Sequence, residues 1–153
     1  MNSEIEFCEN RADVVQIARH LHACDCAFVP PLSHRVAIDD YAHRIIDKAA
    51  RFEAWGGGEL VGLVAAYCNE TGRRVAFITS VSVLSEWQGR GIASKLVTRC
   101  TDHANSLGFS RIELEVGQMN AAAIALYNKH GFVIDGEGGS TSTMHLTIGS
   151  EHS

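Results

Sequence analysis

Long apolar runs are missing from this 153-residue sequence: none approaches the roughly 18–20 residues that a bilayer-spanning helix needs. The opening Met1-Asn2-Ser3-Glu4 has neither the basic nor the apolar stretch of a secretory signal. Positive charge is scarce too, with 13 Lys and Arg against 18 Asp and Glu. That balance argues against nucleic acid or an anionic membrane as a partner, because both are bound through surplus Lys and Arg. A cytoplasmic protein is expected. Proline occurs twice, as Pro30 and Pro31, and marks the clearest break in the chain. The five cysteines are odd in number and irregularly spaced, so they suit buried thiols in a reducing compartment better than a disulfide framework. His20, His22, Cys24 and Cys26 alternate through a stretch that reads as a helix. There His20 and Cys24 share one face while His22 and Cys26 share the opposite one. No metal site is expected, since structural zinc clusters pair ligands two to four residues apart.

What is present is an ordinary globular composition, 46% hydrophobic and 20% charged. A chain of this length buries roughly 68–70% of its unfolded surface, enough for a core without disulfide or metal staples. One domain over residues 1–148 is expected, with 149–153 as a frayed tail. A short strand at 5–8 precedes a helix that Asn10 can cap and that carries Val14, Ile17, Ala18 and Leu21 on one face. A second helix begins near Asp39 and turns Tyr41, Ile45, Ile46 and Ala49 inward. Strands at 51–55 and 59–67 flank Gly56-Gly57-Gly58, and a turn at 69–73 leads to a third at 75–84, an antiparallel meander. The spacing of Ile92, Leu96, Cys100, Ala104 and Leu107 predicts a helix over 91–107 that Gly108 stops. A strand at 111–116, a helix at 120–130 and strands at 132–136 and 141–148 complete the chain. The order β-α-α-β-β-β-α-β-α-β-β predicts an α+β fold with one strand-helix-strand crossover joining parallel strands.

The most informative segment, Gln88-Gly89-Arg90-Gly91-Ile92-Ala93-Ser94, lies between a strand and an amphipathic helix. Glycines let backbone amides approach an oxyanion, and a helix N-terminus adds unsatisfied N–H groups and a positive dipole end. The segment reads as a diphosphate cradle. A Walker loop is excluded, because no Gly-x-x-x-x-Gly-Lys-Ser/Thr string occurs. A dinucleotide fingerprint fits poorly. Its third glycine position holds Ser94, and an antiparallel meander, not the start of a parallel sheet, precedes the loop.

Gln88-x-x-Gly91-x-Ala93 resembles the coenzyme A pyrophosphate motif of the GNAT superfamily of N-acetyltransferases. Asn120-Ala-Ala-Ala-Ile-Ala-Leu-Tyr127-Asn-Lys-His-Gly131-Phe132 resembles that superfamily's second signature, one helix and one strand downstream. The resemblance covers essentially the whole chain. It implies the GNAT fold, a mixed central sheet with a V-shaped splay between its central strands, and acetyl-CoA as cofactor. It further implies that the backbone at Val81 and Val83 lines the pantetheine arm. The amides of Gly89, Arg90, Gly91, Ile92 and Ala93 would hold the diphosphate, assisted by the Ser94 hydroxyl and the Arg90 side chain. Gln88 stands where the family more often has Arg, and Asn120 would bind the pantetheine arm.

The implied chemistry is acetyl transfer to a primary amine through a tetrahedral intermediate, with a backbone N–H near Val81 polarising the thioester carbonyl. Tyr127 is the implied acid at the departing thiolate; a thiol near pKa 8.5 and a phenol near 10 are close enough for that transfer. The stretch Phe77-Ile78-Thr79-Ser80 supplies no base. Leu114-Glu115-Val116 ahead of the Asn120 helix resembles bacterial ribosomal-protein N-terminal acetyltransferases, which makes Glu115 the implied base. An amine with a pKa near 8 would need none.

On the acceptor side the resemblance points to Pro31, Arg35, Tyr41, Tyr67, Asn69 and Thr79, with Ser80 beside it, a neutral to weakly basic set rich in hydroxyl and amide groups. The segment 28–33 together with Tyr67-Cys68-Asn69 is similar to GNAT proteins from bacterial polysaccharide and sugar-nucleotide gene clusters. The expected acceptor is therefore an amino sugar, free or nucleotide-linked. A protein or peptide N-terminus is the rival acceptor, and a coenzyme A-binding sensor or inactive homologue the rival of another class. Family members often pair, so a homodimer is also open.

Overall fold

The computed structural model describes residues 4–28, 31–68 and 74–149. Its elements are β1 (Ile5–Glu9), α1 (Val14–Cys24), α2 (Ile38–Lys48), β2 (Ala50–Gly56), β3 (Glu59–Tyr67), β4 (Val75–Val83), α3 (Ile92–Ser106), β5 (Arg111–Gly117), α4 (Ala121–Lys129), β6 (Val133–Gly138) and β7 (Thr141–Thr147). The order matches the sequence reading. The strands form one sheet in the order β1-β2-β3-β4-β5-β7-β6, in which only β4 and β5 run parallel.

The start of α1 differs from expectation. Asp13, not Asn10, is the N-cap, closing a reciprocal box with Gln16. Asn10 instead sits in the left-handed region at φ 56°, which its short polar side chain tolerates. Its Oδ1 accepts from Arg51 N at 2.9 Å and its own N–H donates to the Arg51 carbonyl at 3.0 Å. The next two amides, of Arg11 and Ala12, donate to the carboxylate of Glu53 on β2. Glu53 is fully buried and also accepts from Trp55 Nε1 at 3.0 Å and Arg51 Nε at 3.3 Å. Residues 10–12 are thus tied to β2, and the helix begins after them.

Successive residues of a strand face opposite sides of the sheet, and β3 divides the core accordingly. Leu63 and Ala65 meet Ile17, Leu21, Tyr41 and Ile45 of α1 and α2. Val64 and Ala66 belong to the other layer, with Leu96, Val97, Cys100 and Ala104 of α3 and with Ile112, Leu114, Tyr127 and Phe132. Of the cysteines, Cys24 and Cys100 are buried, Cys8 and Cys68 half-buried and Cys26 exposed, and all five are free thiols.

Two irregularities shape the centre of the sheet. Ala65 pairs with Ser80 but Ala66 pairs with Ile78, so Thr79 is an extra residue, a β-bulge. Immediately beside it the β4–β5 ladder ends at Ile78 and Leu114. Past that point β4 continues against β3 to Val83 and β5 against β7 to Gly117. The two central strands therefore part, and β4 backbone groups on that side have no strand partner. Tyr41 braces the spot, donating to the Thr79 carbonyl at 2.7 Å with its oxygen 2.6 Å from Thr79 Oγ1.

Candidate active site

The glycine loop adopts the conformation that its composition predicts. Gly89 and Gly91 lie at φ +80° and +76°, where L side chains are strained, and a Cβ on either would meet no protein atom within 4 Å. Gly91 is the N-cap of α3 and no side chain caps that end. The first-turn amides of α3 are left without intrahelical acceptors, facing open space with the dipole's positive end behind them. Such a cradle fits a diphosphate.

Side chains around the loop are largely committed. The Arg90 guanidinium lies 4.7 Å from the centre of the Trp87 ring, and Trp87 packs so tightly on the β2–β3 hairpin that a Cβ on Gly56 would come within 2.5 Å of it. Gln88 Nε2 donates to the Val83 carbonyl at 3.2 Å. Ser94 Oγ and His130 Nε2 are 2.9 Å apart, so the hydroxyl expected at the diphosphate already has a partner from the end of α4. Ile92 is buried and presents its backbone alone. Lys95 and Arg99 stand over Phe7 of β1, at 5.3 and 5.4 Å.

From the loop a groove of about 230 Å³ runs between β4 and α4, lined by Val81, Ser82, Val83, Gln88, Ala93, Ala122 and Leu126 among others. A second cavity of about 90 Å³ lies at the splay, with Arg35, Thr79, Ser80, Glu115, Val116, Gly117 and Thr141 in its wall. Phe28, Val81, Asn120, Ala123 and Tyr127 line both. Asn120 Oδ1 caps α4 by accepting from Ala123 N at 3.2 Å, which leaves its Nδ2 protons for other acceptors. Tyr127 is buried against Phe132, ring centres 5.8 Å apart, and burial pushes its phenol well above the ordinary value near 10. Glu115 is exposed at the cavity mouth.

Not every expected acceptor residue reaches this cleft. Arg35 and Thr79 line the smaller cavity, but the Tyr41 hydroxyl is occupied by Thr79. Tyr67 packs beside the α1–α2 core, and Pro31 heads a single 3₁₀ turn over Leu32–His34; neither lines the cleft. Asn69 and the expected turn at 69–73 lie outside the described residues, as do 150–153. Thr141 and Gly117 enter the wall through the β5–β7 pairing, which no local pattern announces. The Ala121-Ala122-Ala123 run was the available signal that α4 presents a smooth face. Of the alternating His and Cys set, His20 and Cys24 are buried, whereas His22 is exposed and bonds Asp39 at 3.0 Å. Among the described residues, no three His, Cys, Asp or Glu side chains group closely enough to hold a metal.

The Acetyltransferase (GNAT) family model matches residues 15–132. The chain belongs to the GNAT family. It is 37% identical over 129 residues to the L-amino acid N-acetyltransferase AaaT of Escherichia coli K12, a match that covers 78% of this chain and 77% of that protein. Several other curated relatives are longer, and the matched stretch spans 36–44% of their length. Among solved GNAT-like structures, PH1933 from Pyrococcus horikoshii OT3 superposes with a TM-score of 0.77 at 28% identity, over 95% of this chain and 99% of that one. The PaiA N-acetyltransferase of Thermoplasma acidophilum, solved with coenzyme A, shares the fold at TM-score 0.74 and 14% identity, over 95% and 99% of the two chains. GNAT enzymes are acyltransferases that use acetyl-CoA, and the cradle and groove here fit that cofactor. No described helix is long and apolar enough to cross a membrane.

Proposed function

We propose that this chain transfers the acetyl group of acetyl-CoA to the amine of a small polar acceptor, by direct attack. The observation that carries this is the meeting of the two spaces. The groove from the glycine loop and the cavity at the splay share Val81, Asn120 and Tyr127. When bound, acetyl-CoA supplies an activated acetyl carbonyl. The unpaired β4 backbone near Val81 would polarise that carbonyl, and the Asn120 amide would hold the arm that bears it. Glu115, facing solvent, would take a proton from the incoming amine and release it to water. Tyr127 would present its hydroxyl to the sulfur as it leaves. The diphosphate would rest on the amides of Gly89 to Ala93.

An amino sugar fits the hydroxyl-rich wall of Thr79, Ser80 and Thr141, and a nucleotide phosphate on it could extend toward exposed Arg35. An L-amino acid is a second reading, supported by the likeness to AaaT and by Arg35 as a partner for a carboxylate. Thiol release from acetyl-CoA with a panel of amino sugars, sugar nucleotides, amino acids and N-terminal peptides tests both. Transfer to one of the first three groups is expected. Transfer to peptides alone would move the acceptor to a protein N-terminus. Coenzyme A binding without turnover on any amine would make the protein a sensor.

A further inference from the structure

Ser80 and Ser82 lie two residues apart on β4, both buried. Ser82 is answered by α1. The Leu60 carbonyl can only accept, so His20 Nδ1–H donates to it at 3.0 Å, and His20 Nε2 accepts the Ser82 hydroxyl proton at 2.9 Å. Ser80 has no such answer. The residue is 5% exposed, and among the described residues its Oγ is the buried side-chain polar atom that makes no hydrogen bond. The Tyr41 hydroxyl is its polar neighbour, but it makes no hydrogen bond with Ser80 Oγ and commits its own proton to the Thr79 carbonyl. Native interiors rarely leave a desolvated hydroxyl unsatisfied, because its lost hydration is not replaced. The residue that carries it lines the smaller cavity beside Thr79 and Val81, in the wall that also holds Glu115 and Tyr127.

We propose that Ser80 is a specificity-determining residue that reads two adjacent polar atoms of the acceptor. The inference rests on the acetyl-transfer reading above and narrows its substrate. A serine hydroxyl offers one proton and two lone pairs. A simple alkylamine can fill a lone pair through its N–H but leaves the hydroxyl proton unused. An amine whose neighbouring carbon bears oxygen can do both: its N–H donates to Ser80 Oγ, and the Ser80 hydroxyl donates to that oxygen. The substrate class is thus the vicinal amine–oxygen unit, as in 2-amino sugars and α-amino acids. The bulge at Thr79 sets this arrangement. With Thr79 inserted, Ser80 falls opposite Ala65 on the α1–α2 side while Val81 faces the cofactor groove.

Matched pairs test the proposal: glucosamine against cyclohexylamine, and L-alanine against ethylamine. Wild-type protein is expected to favour the oxygen-bearing member of at least one pair by about tenfold or more in kcat/KM. Ser80→Ala should remove most of that preference through the KM for the amine. It should leave coenzyme A affinity unchanged by calorimetry and the melting temperature unchanged or higher, because an unsatisfied hydroxyl has been deleted. Ser82→Ala, which strips a bonded hydroxyl, should melt lower and provides the contrast. An unaltered preference in Ser80→Ala, or a lowered melting temperature in it, overturns the role. Wild-type turnover without preference in either pair overturns it as well while leaving acetyl transfer intact. Coenzyme A binding with no turnover on any of the four amines removes the vicinal-unit acceptor, and the wider panel then decides whether acetyl transfer itself stands.

Discussion

Tyr127 shows how burial refines a role that a motif suggests. An ordinary phenol is only about 1.5 pKa units less acidic than a thiol, so a full proton transfer to a thiolate would cost little. Burial disfavours the phenolate and widens that gap. Tyr127 is therefore better suited to hold a hydrogen bond to the developing thiolate than to surrender its proton outright. A hydrogen bond to a charged group contributes about 1.5–3 kcal/mol, so Tyr127→Phe should lower kcat roughly ten- to hundredfold with little change in the KM for acetyl-CoA. Steady-state kinetics check this, and full turnover by the variant would remove the role. Glu115 is exposed, and its contribution depends on the protonation of the amine. Glu115→Gln should reduce the rate most at low pH, where little of the amine is neutral. A pH–rate profile parallel to that of the wild type would point to water as the base.

At the scale of elements, the cofactor cradle depends on backbone more than on side chains. Gly91 both begins α3 and occupies a left-handed conformation, so a side chain there has two costs. Gly91→Val strains the loop by about 1–2 kcal/mol and places methyl groups where an anion would approach the amides. Coenzyme A affinity should fall at least tenfold by calorimetry, a loss larger than the same substitution at exposed Gly108, which lies at φ +85° just past the opposite end of α3. Equal, small effects at both positions would remove the cradle from the binding site. The fold of α3 itself was legible in the sequence because its apolar spacing, initiating glycine and terminating Gly108 agree. The start of α1 was not, because Asn10 has the chemistry of a cap and is diverted by Arg51 and Glu53, some forty residues away.

For the whole molecule, His20 links stability to pH. Burial lowers it from 6.5 to about 4, so between those values the unfolded chain binds a proton that the folded chain excludes. Stability is complete above about pH 6.5 and declines as the pH falls toward 4, by up to about 3 kcal/mol from this group. Asp25 and Asp135, held below the ordinary carboxylate value by hydrogen bonds from Ser33 and Thr143 respectively, act in the same direction at lower pH. Urea unfolding at pH 7.5, 6 and 4.5 should show the loss. The same series on His20→Gln should be flatter across that window, whatever its absolute stability, since the titrating ring is gone.

The sequence by itself determined the order of elements, the parallel crossover and the glycine loop, together with the paired signatures around Gly91 and Tyr127. These are written in local terms, as periodicity, capping and left-handed glycine positions, so neighbouring residues suffice to reveal them. Tertiary structure alone decided which polar groups remain available. Tyr41 and Ser94 look like ligands in the sequence, but each is taken by a partner brought in from another element, Thr79 and His130. Ser80 reads there as one hydroxyl among several, and only the packed structure makes it the unsatisfied one beside the cavity at the splay, because the Thr79 bulge and the parting of β4 from β5 bury it without a partner. Hydrogen-bond satisfaction is a property of the packed whole, and no window of sequence contains both halves of it.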